Sequence, residues 1–222
     1  MAHAAGATSQ TAAPSPPEVF ELSGGALCLD FANTWEDRER PETEKLGGYG
    51  ALLAFARQSG LLSEAARDRL AARAREDREG AEAAFEAARE LREAIYRIFS
   101  ARVEGRPAPP EDLDRLNAAL PDALGGMRVE MGNGSGDGQG GPAYAWSRCD
   151  ASETLAAPLR PIVRSAAELL VSGDLDRVRE CDGTSCTWLF LDQSRNRSRR
   201  WCSMETCGNR AKARRHYRRN RP

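Results

Sequence analysis

Between Glu79 and Val103 the apolar residues Phe85, Ala88, Leu91, Ile95, Ile98 and Phe99 recur at spacings of three and four, with charges between them. That period predicts the longest helix of the chain, buried along one face. Pro107, Pro109 and Pro110 end it. The same pattern predicts shorter helices on either side. One runs around Leu52, Leu53 and Phe55 and stops at Gly60; the next is capped by Ser63; a third passes through Leu113, Leu116 and Leu120. Leu159, Ile162, Val163, Ala166 and Leu170 mark a further helix that ends at Gly173 and closes the core against the long one. Ahead of these, EVFELSGGALCLDFANTW starts strand-like, breaks at a Gly-Gly pair and continues through Leu27, Leu29 and Phe31. If that last part is helical, Asp30, Asn33 and Thr34 share one face. Two alternating segments, MRVEM and AYAWSR, flank a glycine-rich link from Gly132 to Pro142, which predicts a hairpin with a long loop. The link matches no nucleotide-binding fingerprint.

Composition adds a boundary. The 222 residues are 41% hydrophobic and 29% charged, enough for one sizeable core with a small appended module. No apolar run is long enough to span a membrane. The opening MAHAAGATSQTAAPSPPE lacks the basic and leucine-rich parts of a secretory signal, so residues 1–17 are expected to be a disordered tail and the protein cytoplasmic. The net charge of −1 conceals an uneven split. From Gln193 to Pro222, eleven Lys and Arg residues face the single acid Glu205, a net +10, which leaves −11 for the rest. Such an end suits a polyanion, nucleic acid above all. The plainer reading is a solvated tail, or one resting on the chain's own acidic body.

From Arg177 onward the chain has few apolar residues, mainly Trp188, Leu189, Phe190, Leu191, Trp201 and Tyr217. A module of that size usually needs a staple. Cys181-x4-Cys186 and Cys202-x4-Cys207, fifteen residues apart, have the layout of a four-cysteine zinc site, with DGTS as the turn of the first pair. Guanidinium groups nearby would offset the −2 charge of a zinc tetrathiolate. Disulfides would need an oxidising compartment. A redox pair would be spaced CxxC. A cysteine nucleophile would need a partner such as His216, and a catalytic zinc would keep a ligand position open. One structural Zn2+ held by Cys181, Cys186, Cys202 and Cys207 is therefore expected, and a serine at Cys202 is expected to unfold the tail while leaving the body folded. Cys28 and Cys149 have no partner nearby and are taken as ordinary thiols.

GNRAKARRHYRRNR predicts a helix whose start holds Cys207, where the helix dipole favours a thiolate. Arg210, Arg214, Arg218 and Arg221 line one face, Lys212, Arg215 and Arg219 flank it, and Ala213 and Tyr217 are expected to pack inward. Arg210, Lys212, Arg214, Arg215 and Arg218, together with Arg195, Arg197, Arg199 and Arg200, are the candidate nucleic-acid contacts.

The stretch CDGTSCTWLFLDQSRNRSRRWCSMETCGNRAKARRHYRR closely resembles the C-terminal domain of the CGNR zinc-finger proteins, with Cys207-Gly208-Asn209-Arg210 as the motif. LCLDFANT, LREAIYRIF, the Leu116-Asn117 pair and SAAELLVSGDLDRVREC resemble the family's N-terminal ABATE domain. The Gly-rich segment looks like a local expansion. The resemblance implies a stress-induced transcription regulator whose finger contacts DNA and whose N-terminal domain senses a small ligand. Asp30, Asn33 and Thr34 are the candidate lining for that effector, and local caps or a buried hydrogen-bond pair are the competing role for them.

The expected architecture is therefore α+β and mainly helical. A tail at 1–17 precedes an ABATE-like domain with a β-hairpin at 18–176, for sensing or dimerisation, and a small four-cysteine zinc finger at 177–222 built as a strand pair followed by a basic helix. The expected function is transcription regulation through DNA, with a small effector and a homodimer as further partners and no membrane association. No Ser/His/Asp set or paired carboxylates mark an enzyme. The alternative is a zinc-stabilised adaptor for protein or RNA.

Overall fold

The computed structural model describes residues 19–132, 143–148 and 154–219. The expected tail, most of the Gly-rich link and Cys149 lie outside the described residues. The fold is α+β and mainly helical, built around α4 (Arg78–Val103), the helix that the period of three and four marks. Phe85, Ala88, Leu91, Ile95, Ile98 and Phe99 are all buried along it. Asp77 caps its start, accepting from the Gly80 backbone N–H at 2.8 Å. Against α4 pack α1 (Leu27–Ala32), α2 (Tyr49–Gln58), α3 (Glu64–Glu76) and α5 (Pro110–Leu124), while α6 (Leu159–Val171) lies on α1 and α5. Ser63 caps α3 through the Ala66 N–H, as its place before the helix suggests. On α6 it is Leu169, not Leu170, that is buried, because the inward face turns by one residue near the helix end. Among the described residues no helix is long and apolar enough to cross a membrane.

Two small antiparallel sheets complete the fold. β1 (Met127–Gly132) and β2 (Ala143–Arg148) form the expected hairpin, with Val129 opposite Trp146 and Met131 opposite Tyr144. β3 (Val178–Glu180) and β4 (Leu189–Leu191) pair Val178 with Leu191 and Glu180 with Leu189. This second hairpin ties the carboxyl-terminal module to the main core. Val178, Leu189 and Leu191 belong to the main core, together with Leu29, Phe31 and Ile162. Phe190 points the other way, into a second cluster with Cys181, Cys186, Trp188, Cys202 and Cys207. Side chains alternate along a strand, so a strand of three residues serves two cores at once. α7 (Asn209–Arg219) follows a π-helical turn at Met204–Gly208 and ends the described chain.

Candidate metal centre and basic helix

Cys181 leaves β3, Cys186 approaches β4, and Cys202 and Cys207 return from the following loop and π-turn, so all four sulfurs lie within 4.8 Å of one another. All four residues are buried. The Sγ atoms of Cys186 and Cys202 are 3.7 Å apart, as are those of Cys202 and Cys207. A tetrahedron with Zn–S bonds of about 2.3 Å has edges of about 3.8 Å, so these two edges match it and the donor set suits one zinc ion. The DGTS turn is shaped to this end. A Cβ on Gly183 would lie 3.2 Å from Cys207 Sγ, 3.4 Å from Cys181 Sγ and 3.0 Å from Cys186 Cβ. The Cys202 backbone N–H donates to Cys181 Sγ at 3.4 Å.

Charge makes the same point. Hydrogen bonds from Cys186 and Cys202 pull the Cys181 thiol far down, to about 2. Bonding to Cys181 in turn pushes the Cys186 and Cys202 thiols up, and burial does so for Cys207. Without a cation the four sulfurs thus hold one another largely protonated; a divalent ion such as zinc is what lets all four bind as thiolates. The four cysteines hold one structural zinc ion, and four sulfurs fill its shell.

The loop from β4 to Cys202 is organised by Asp192, which is 0% exposed. Its carboxylate accepts from Ser194 N (2.9 Å), Ser194 Oγ (2.6 Å) and Arg199 N (3.0 Å). This corrects one expected nucleic-acid contact. Arg199 turns inward, donating to the carbonyls of Trp201 and Ser23 at 3.0 Å each and to that of Cys202, with its guanidinium 4.4 Å from the centre of the Phe190 ring. The carbonyls of this compact loop need donors, and Arg199 is the long side chain within reach. Arg200 is engaged with Asp182 at 2.7 Å and lies over Trp201. Arg195 and Arg197 are exposed.

Ser203 caps the π-turn through the Thr206 N–H, and Cys207 sits inside that turn, just before α7. Lys212, Arg215 and Arg218 are exposed and Arg214 is half-buried. Arg210 is exposed and lies 3.5 Å from Glu36. Ala213 and Tyr217 do not pack inward; Tyr217 is 74% exposed. Phe190, Trp188 and the cysteines are enclosed in their own cluster, with Trp201 packed on it, and no residue of α7 belongs to that cluster. His216 is exposed, with its ring 6.4 Å from that of Tyr217.

Asp30, Asn33 and Thr34 lie close together around the end of α1, and each makes an internal hydrogen bond. Asn33 Nδ2 donates to the Leu189 carbonyl and its Oδ1 accepts from the Leu189 N–H, both at 2.8 Å. Thr34 Oγ1 donates to the Phe31 carbonyl and accepts from Arg92. Asn33 and Thr34 are each 2% exposed, so neither faces a ligand space. Asp30 accepts from the Gly24 N–H at 2.7 Å. Burial outweighs that bond and raises its carboxyl from 3.8 to about 6. A raised acid binds its proton more tightly folded than unfolded, so stability falls as pH rises from about 4 to about 6. Asp30→Asn keeps an acceptor for Gly24 and removes the charge. It is expected to raise the melting temperature at pH 8 and change it little at pH 4, with at most about 3 kcal/mol gained. Equal melting temperatures of the two proteins at pH 8 would count against a charged, buried Asp30.

Residues 25–173 match the family model of ABATE, described as "Putative stress-induced transcription regulator". Residues 177–220 match that of the CGNR zinc finger. No curated protein matches the chain. The two family matches part between residues 173 and 177, whereas the main core runs across that point through Val178, Leu189 and Leu191.

Proposed function

The chain belongs to the ABATE family and carries a CGNR zinc finger, and from that premise we propose that it regulates transcription by gripping DNA with α7, held out on its zinc-anchored root. One observation carries the reading. Elsewhere the arginines are largely neutralised: Arg38 by Glu93, Arg92 by Glu44, Arg97 by Asp112 and Arg115 by Glu90. Among the described residues, Lys212, Arg214, Arg215 and Arg218 have no carboxylate partner, and α7 buries none of its described side chains. A helix that keeps its cations unpaired and its surface open is suited to a phosphate backbone. Arg195 and Arg197 add to the positive surface; Arg199 does not. Asp30, Asn33 and Thr34 take no part as an effector lining in this reading, since they are engaged within the fold. The protein works in the cytoplasm by binding rather than by catalysis.

Titration of fluorescent duplex DNA with the zinc-loaded protein at a series of salt concentrations tests this. Five cations, Arg210, Lys212, Arg214, Arg215 and Arg218, should give a log–log slope near about −4 to −5. Arg214→Ala and Arg218→Ala are each expected to flatten the slope by about one unit. Duplex binding that both substitutions leave unchanged would defeat the reading, and binding confined to single-stranded RNA would point to the adaptor instead.

A further inference from the structure

The β1–β2 hairpin is oddly placed for a soluble protein. Its two strands pack mainly on each other, and Val129, Met131, Tyr144 and Trp146 are 58%, 73%, 68% and 61% exposed. The register sets Val129 beside Trp146 and Met131 beside Tyr144, so all four project from one face. Arg128 lies on the other face, with its Nε donating to Ser147 and its guanidinium paired with Glu130. A two-stranded sheet is marginal alone and needs an apolar surface to lean on.

That surface exists on the same chain and the hairpin does not use it. A largely apolar groove of about 330 Å³ runs between α4, α5 and α6, lined by Ala87, Leu91, Ala119, Leu159 and Val163 together with the charged Glu90, Arg115, Asp122 and Arg160. No residue of β1 or β2 lines it. Gly125 and Gly126 join α5 to β1, and Gly126 takes the left-handed φ of +67° there.

We infer that the hairpin is a dimerisation arm: its apolar face seats in the α4–α5–α6 groove of a second copy of this chain, and that copy's arm returns the contact. A two-fold pair requires both complementary features on one chain, and here both are present and, among the described residues, unmatched. Size supports the same occupant. With aromatic side chains worth about 150–250 Å² each, the four exposed residues offer roughly 400 Å² per copy. Two reciprocal arms cover on the order of 800 Å² of their own surface, and the groove walls they seat against bring the total to about 1,000 Å², where specific interfaces begin. The pair would also carry two basic helices, where one helix alone reads few base pairs.

The test is the mass of the full zinc-loaded chain by light scattering at tens of micromolar, without DNA, so its outcome is independent of the DNA reading. The expected mass is twice 24.2 kDa. Trp146→Asp on the arm and Ala118→Glu in the groove each change an exposed residue and should each give a monomer with an unchanged circular dichroism spectrum. Mixing the two variants should recover a weaker dimer, because one intact arm then meets one intact groove. A monomeric wild type, or a dimer that survives both substitutions, overturns the inference. Sensitivity to Trp146→Asp alone overturns the groove as the docking site.

Discussion

Cys202→Ser is expected to bring bound zinc from about one ion per chain to near zero and to leave residues 192–219 without protection from hydrogen exchange. Cys202 Sγ is 3.7 Å from the sulfurs of both Cys186 and Cys207, and its backbone N–H also bonds to Cys181 Sγ. Zinc contributes about 10–16 kcal/mol to folding in small modules. The second cluster consists of Trp188, Phe190 and the cysteines with Trp201 packed on it, so nothing there replaces the lost metal. The loss will not reach back to Arg177. Leu189 and Leu191 remain docked on the main core, so β3 and β4 should keep part of their protection while the loop, the π-turn and α7 lose theirs. Elemental analysis and residue-resolved exchange read the two effects separately. A wild-type protein without metal yet fully protected over 192–219 would refute the metal-dependent fold of this region.

Asn33→Ala is expected to cost about 2–4 kcal/mol, from two buried hydrogen bonds lost and two backbone groups left unpaired. The side chain meets both the N–H and the carbonyl of Leu189 at 2.8 Å and is 2% exposed. It thus pairs with β4 much as a neighbouring strand would. In a chain of this length, each kcal/mol shifts the melting temperature by about 2–4 °C, so a fall of about 5–15 °C is expected. The substitution should also speed transfer of zinc to a chelator, since β4 carries Phe190, and the residue before it Trp188, into the metal cluster. A melting temperature within a degree of wild type would refute the role of Asn33 as the joint between the cores.

The sequence carried the helices and the metal site well, for physical reasons. The period in α4 is long and regular, and Ser63 and Gly60 are local signals that need no tertiary partner. Cysteine spacing is likewise local. What it did not carry depends on partners distant in the chain. Asn33 looked like one member of a polar face because its partner, Leu189, lies 156 residues away. Arg92 sat among the charges between the apolar positions of α4, yet it is 0% exposed and grips both oxygens of Glu44, at 2.6 and 2.5 Å. Nothing in its neighbours announces a buried cation. Arg199 was indistinguishable from Arg195 and Arg197 in a basic run. Only the fold decides which guanidinium meets carbonyls and which meets water. Tyr217 was expected inside on periodicity alone, but a helix needs a surface to lie against before its apolar residues can be buried.

The strand that faces two ways also limits how this protein could be taken apart. Excised at the border between the two family matches, the carboxyl-terminal piece would expose Val178, Leu189 and Leu191 to water on one flank, however tightly its metal held the other. It should therefore clump or borrow cover from a neighbour. A transplant onto another protein would succeed only if the host brought its own short helix ending in an asparagine at the right depth.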